Sequence, residues 1–251
     1  MKRPLIPAVA ACACAFFSLV AHAQQPAPVA GRGTAPIDLT GTWVSLVTED
    51  WRWRMVTPPK GDYSSVPLNQ AGVAVVNAWD PAKDTAAGEP CKAYGAGAIM
   101  RVPGRVRISW QDDSTMKVET EAGTQTRLLT FGRAPQPAAA PSWQGTSAAT
   151  WQVAGGAPRR GGGPPPRGGS LKVVTTNLRA GYLRKNGVPY SANAVVTEYF
   201  NVVTDPVDKQ SYLVVTTVIE DRQYLQQRFF TSSHFKKEDG SRWNPTPCSA
   251  S

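Results

Sequence analysis

The chain has 251 residues, 41% of them hydrophobic, and carries 27 Lys and Arg against 18 Asp and Glu for a formal net charge of +9. No recognised nucleic-acid reader motif accompanies that excess, so nucleic acid is not the expected partner, while cell-wall polymers, lipid headgroups and acidic ligands remain. With two histidines, no Gly-rich phosphate loop and no dinucleotide fingerprint, neither a multi-histidine metal centre nor nucleotide-dependent chemistry is expected, and no cofactor is implied.

The chain begins as an export signal would. Met1-Lys2-Arg3 is basic, Leu5 to Val20 is apolar, and Ala21-His22-Ala23 has the small-x-small pattern of a signal peptidase site. Residues 1–23 read as a signal peptide cut after Ala23, which places the mature protein in the periplasm or outside the cell. Val9-Ala10-Ala11-Cys12 offers a competing lipobox, but only a short stub precedes Cys12 and the apolar run continues past it. Without Lys2 and Arg3 the balance is 25 basic to 18 acidic residues, or +7. Cys91 and Cys248 are then the remaining cysteines, and in an oxidising compartment they are expected to form a disulfide. No later segment approaches the ~18 consecutive apolar residues of a membrane span.

Residues 24–36, rich in Pro, Ala, Gly and Gln, read as a disordered leader, and residues 37–251 as a single β domain. Gly41 to Thr48 is the first strand. An irregular insert follows, with a helix from Asn69 to Trp79 capped by Asn69 and stopped by Asp80-Pro81. Ala98–Val102 is expected as a strand. Arg105–Trp110, Thr115–Thr120 and Gln125–Phe131 then alternate polar and apolar residues between Asp112-Asp113-Ser114 and Ala122-Gly123 turns, the pattern of an antiparallel meander with one buried face. Trp143–Val153 continues it. Residues 155–169, including Arg159, Arg160 and Arg167, form a flexible Gly/Pro/Arg-rich loop. Ser170–Arg179, Ala194–Thr204, Ser211–Asp221 and Arg228–Lys236 complete about ten strands. So many strands in series need closure to protect their edges, so an all-β, antiparallel up-and-down barrel is expected, with a β-sandwich as the alternative.

Gly41-Thr42-Trp43 resembles the Gly-x-Trp signature that opens the first strand of lipocalins and related calycin barrels. The resemblance implies that Trp43 closes one end of a barrel and packs against an Arg of the last strand, for which Arg228 is the counterpart. Segments such as Glu49–Met55, Lys185–Tyr190 and Trp243–Cys248 also resemble a set of uncharacterised secreted bacterial proteins, which implies no activity.

Several residues could carry chemistry. In an extended chain Glu49, Trp51 and Trp53 share one face, and Asp50, Arg52 and Arg54 the other. The indoles would stack on a ligand and the arginines grip an anion, or else the tryptophans belong to the core. Glu198 shares a strand face with Val196, Phe200 and Val202, so an internal Glu198 would have a raised pKa suited to acid/base work or ligand anchoring, unless an Arg pairs with it. His234 has Ser232 as its same-face neighbour, but no acid is marked in the sequence to complete a triad. Tyr182, Arg184 and Tyr190 decorate the loop 181–193, placed where a barrel mouth meets ligand.

The function these features imply is an exported barrel binding a small, partly apolar molecule, hydrophobic or aromatic, in its interior. The alternatives are a periplasmic isomerase, hydratase or hydrolase with Glu198 or His234 as acid/base, or an envelope interaction protein. Enzyme against binder, and oligomeric state, are left open by the sequence.

Overall fold

A computed structural model describes residues 31–132, 140–153 and 168–250. The signal peptide expected at 1–23, most of the leader and nearly all of the 155–169 loop lie outside the described residues. Residues 31–36 of the expected leader form a turn docked on the barrel: Trp151 Nε1 donates to the Gly31 carbonyl at 2.6 Å, and the Arg32 amide to the Asp113 carbonyl at 3.0 Å.

Nine strands close into a barrel. They are β1 (Gly41–Leu46), β2 (Arg105–Asp112), β3 (Thr115–Thr120), β4 (Gln125–Phe131), β5 (Thr146–Val153), β6 (Gly169–Thr176), β9 (Val195–Thr204), β10 (Ser211–Glu220) and β11 (Phe229–Glu238). The ring runs β1-β11-β10-β9-β6-β5-β4-β3-β2 and closes where β1 pairs with β2. The short strands β7 (Gly181–Arg184) and β8 (Val188–Tyr190) form a separate hairpin in the stretch expected as a loop.

The expected up-and-down antiparallel order holds around most of the ring, but β4 and β5 pair in parallel through Leu129–Ser147, Thr130–Ala148 and Phe131–Ala149. Geometry requires such a seam. Strand direction alternates around an antiparallel ring, and an odd number of strands cannot alternate to closure. The missing tenth strand is 98–102, where Ile99–Arg101 forms a 3-10 turn instead.

The barrel interior is layered. Trp43, Ile108, Val118, Leu129, Leu171, Val173, Phe200, Val215 and Phe235 belong to one buried cluster. Val196, Ile219 and Phe229 belong to a second, which continues into Leu183, Val188 and Tyr190 of the hairpin and Val66, Leu68 and Val76 of the insert. Between the two lie inward polar residues: Arg127, Ser147, Thr175, Glu198, Thr217 and Ser233, all buried. Strand order explains this, since along β9 the inward positions read Val196, Glu198, Phe200, and along β10 Ile219, Thr217, Val215.

The insert is largely irregular, as expected, but carries three short helices rather than one: α1 (Trp51–Arg54), α2 (Gln70–Ala78) and α3 (Pro81–Ala86). Asn69 caps α2, its side chain accepting from the Gly72 amide, and Asp80, expected only to stop α2, also caps α3 by accepting from Ala82. Asn186 in the β7–β8 turn donates to the carbonyls of Pro59 and Asp62, and Gly187 sits at φ +82 against the Trp79 ring, where a side chain would collide. Insert and hairpin together thus cap the barrel end marked by Val196, Ile219 and Phe229. A disulfide between Cys91 and Cys248 pins the C-terminal tail beside this cap across 157 residues of sequence. Trp43 is fully buried, but its cationic neighbour is Lys237, 5.2 Å from the ring centroid; Arg228 is exposed and pairs with Glu220. The Arg228 assignment is therefore corrected, because that residue lies just before the strand and turns outward. No helix among the described residues is long and apolar enough to cross a membrane.

Candidate functional site

Under the cap is a cavity of about 30 Å³ lined by Trp53, Arg54, Val56, Ala93, Ala98, Arg101, Val102, Leu183, Arg184 and Lys185. Three arginines in it are buried, at 8% exposure for Arg54, 6% for Arg101 and 4% for Arg184. Two have acidic partners: Arg54 donates to Glu49, and Arg101 to Asp50 at 2.7 Å. Arg184 contacts neutral groups instead, donating to the Ser64 carbonyl at 2.8 Å and the Ser65 hydroxyl at 3.0 Å, with its guanidinium 4.6 Å from the Trp53 ring. Burial and the nearby Arg101 charge push the Arg184 pKa down to about 10, and burial likewise lowers that of Arg54. Four buried nitrogens among these side chains have no hydrogen-bond partner among the described residues: Arg54 Nη2, Arg101 Nη1, and Arg184 Nε and Nη1. Leaving a buried charged donor unpaired is costly, and a complementary anion removes that cost.

Local folding brings these groups together. In α1 the chain turns helically after Asp50, which sits at φ 52 in the left-handed region, so the expected two-faced strand does not form. Helical spacing sends Arg54 inward and leaves Trp51 65% exposed, while Trp53 is half-buried, donating Nε1 to Asp62 at 3.0 Å. The two indoles therefore do not make one platform. Arg52 lies outside the cavity, its guanidinium 4.9 Å from the Trp53 ring and 3.9 Å from Asp62. The Asp62 pKa falls below its ordinary range because Ser64 and Trp53 donate to it. From the hairpin, Arg184 and Lys185 reach the cavity, but Tyr182 donates to Asp84 at 2.8 Å on the α3 side, where burial and that carboxylate raise its pKa. Tyr190 is buried in the cap, its hydroxyl unpartnered among the described residues. Arg101 carries no signal in the sequence, where Ala98–Val102 reads as a strand; the 3-10 turn at Ile99–Arg101 brings it into the cavity.

Glu198 points inward, as one of its two expected orientations required. It is 0% exposed and accepts two bonds from Arg127, at 3.1 and 2.5 Å, while Arg127 also donates to Thr175 at 3.2 Å and Thr175 bonds Ser147 at 2.8 Å. Both oxygens are thus engaged by Arg127 inside the barrel, the arginine pairing that the sequence held open as the alternative to acid/base work. His234 lies on the outer wall of β11, with Ser232 Oγ 3.2 Å from Nε2 and Glu49 Oε2 3.1 Å from Nδ1. At the start of β11, beyond Ser232, an open groove of about 390 Å³ is lined by Ser65, Val66, Pro67, Gln227, Arg228, Phe229 and Phe230. No group of three or more His, Cys, Asp or Glu residues among those described could hold a metal ion.

Comparison with known proteins adds no relative: no family model, curated protein or solved structure matches this chain.

Proposed function

We propose that the protein is an exported binding barrel for a small amphiphilic carboxylate, held at the capped end of the barrel. The observation that carries this is Arg184, a buried guanidinium with no carboxylate hydrogen-bonded to it among the described residues, which lines one cavity with Arg54 and Arg101, each also carrying an unpartnered nitrogen. A planar carboxylate matches guanidinium donors in geometry and charge. The cavity has room for about one or two water-sized groups, which suits a carboxylate head and leaves the body of the ligand outside. The turn that supplies Trp53, Arg54 and Val56 also leaves Trp51, Met55 and Val56 exposed at 60–66%, an apolar rim for that body. The filled interior supports this end of the barrel over its centre as the ligand's seat. The disulfide and the small-x-small motif at Ala21-His22-Ala23 support export to the periplasm or beyond.

Calorimetric titration with octanoate and with benzoate tests this binding, octylamine serving as the charge-reversed control. The carboxylates should bind and octylamine should not, with Arg184→Gln removing the binding. Equal heats from wild type and Arg184→Gln would remove the basis for this function.

A further inference from the structure

Ser232 and His234 lie two residues apart on one strand and share its outward face, which also carries Phe230. Ser232 Oγ is 3.2 Å from His234 Nε2. On the other side of the ring, Nδ1 is 3.1 Å from Glu49 Oε2 and 3.0 Å from Thr48 Oγ1. Thr48 donates its hydroxyl proton to the same Glu49 oxygen at 2.6 Å, and the second oxygen of Glu49 accepts from the buried Arg54. Both carboxylate oxygens are thus fixed. Strand pairing accounts for the meeting: Leu46 faces His234 across β1 and β11, so the loop leaving β1 delivers Thr48 and Glu49 to the imidazole.

We propose that Ser232, His234 and Glu49 form a nucleophilic triad on the outer barrel wall that hydrolyses small activated esters. The order of contacts assigns the roles. Glu49 holds the proton on Nδ1, which leaves Nε2 free to accept the Ser232 proton. Attack forms a bond from Ser232 Oγ to the ester carbonyl carbon while the hydroxyl proton moves to Nε2. Collapse breaks the bond to the leaving oxygen, which departs with that proton. Water then attacks the acyl-serine carbon, giving a proton to Nε2; Ser232 Oγ leaves, takes the proton back, and a carboxylic acid is released. The groove lined by Phe229, Phe230, Val66 and Pro67 begins one outward position from Ser232, roughly 7 Å along the strand. Its apolar walls suit the aryl or short alkyl part of such an ester. The product is a carboxylate, the class that the neighbouring cavity is proposed to hold, and Arg54 belongs to both sites; the triad itself does not depend on that binding.

The test uses the purified, oxidised protein, a fluorophosphonate probe read by intact and peptide mass spectrometry, and p-nitrophenyl butyrate turnover. One adduct on Ser232 is expected. Ser232→Ala should abolish both adduct and turnover, and His234→Ala should slow them by roughly 100-fold or more. Thr48→Val, a smaller disturbance of the Glu49 carboxylate, should lower turnover while Ser232 can still be labelled. Octanoate titration of Ser232→Ala should match wild type, since Ser232 lies outside the carboxylate cavity, and this separates loss of the triad from loss of fold or of ligand binding. No adduct on the wild-type protein, an adduct at another residue, or unchanged turnover by Ser232→Ala would each overturn the triad.

Discussion

Arg127 and Glu198 face each other inside the barrel as a two-point ion pair, at 1% and 0% side-chain exposure. They come from β4 and β9, three places apart around the ring, and they lie between two apolar clusters. Breaking a buried pair leaves an uncompensated charge, so Glu198→Gln or Arg127→Met alone should cost roughly 3–5 kcal/mol, whereas the double replacement Arg127→Met with Glu198→Leu should recover most of that loss. Denaturant unfolding of the four proteins measures the cycle; single variants as stable as wild type would show that the pair holds little of the barrel together.

The disulfide should matter through the unfolded chain. Closing a loop of 157 residues contributes roughly 4 to 5 kcal/mol in the chain-entropy treatment. Cys91→Ser with Cys248→Ser should therefore lower the unfolding midpoint markedly with the barrel intact by far-ultraviolet circular dichroism. An unchanged midpoint would mean that the tail is held by its other contacts, such as the Thr246 amide on the Glu121 carbonyl.

Under the proposed carboxylate binding, Arg184 would serve the ligand at the expense of stability. Its buried, unpaired charge disfavours the apo fold, so Arg184→Met should leave the protein at least as stable as wild type while removing carboxylate binding. The pKa lowered by burial gives the sign of a second effect. A base whose folded pKa lies below its unfolded value destabilises the fold while it is charged, and that penalty is relieved as pH rises through the folded pKa. A bound carboxylate should therefore raise the midpoint more at pH 7 than at pH 10. Equal shifts at both pH values would contradict the role given to Arg184.

Asp62 ties Trp53 to the insert. Its lowered pKa means that its contribution is present above the unfolded value, near 3.8, and is lost as pH falls through the lower folded value. Trp53 emission, taken as the difference between wild type and Trp53→Phe, should change with a midpoint below 3.8. A midpoint at or above it would show that Asp62 is not held by Ser64 and Trp53.

Much of this architecture was legible in the sequence because barrel strands with one wet face carry period-two alternation; β3 and β4 fall at their expected bounds, and Val196, Glu198 and Phe200 read as one face of β9, though the sequence leaves open which face turns inward. What escaped has physical causes. Ala98–Val102 is apolar enough for a strand, but its backbone closes 3-10 hydrogen bonds under the cap, as from the Arg101 amide to Ala98. The Glu49–Arg54 stretch alternates as a strand does, yet Trp53 and Met55 amides bond back to Asp50 and Trp51. The partners of Glu198 and His234 are Arg127 and Glu49, 71 and 185 residues away, and nothing local marks such pairs. Arg54 and Arg184 were picked out as ligand-gripping groups from their surroundings, whereas their convergence with Arg101 needed the folded insert.

The most direct measurement is a crystal structure of the oxidised protein grown with octanoate. Carboxylate binding at the capped end predicts both oxygens of the head within hydrogen-bond distance of Arg184 and at least one of Arg54 or Arg101, with the chain lying over Trp51, Met55 and Val56. An octanoate seated elsewhere, or an arginine cavity that holds only water at saturating ligand, would contradict it.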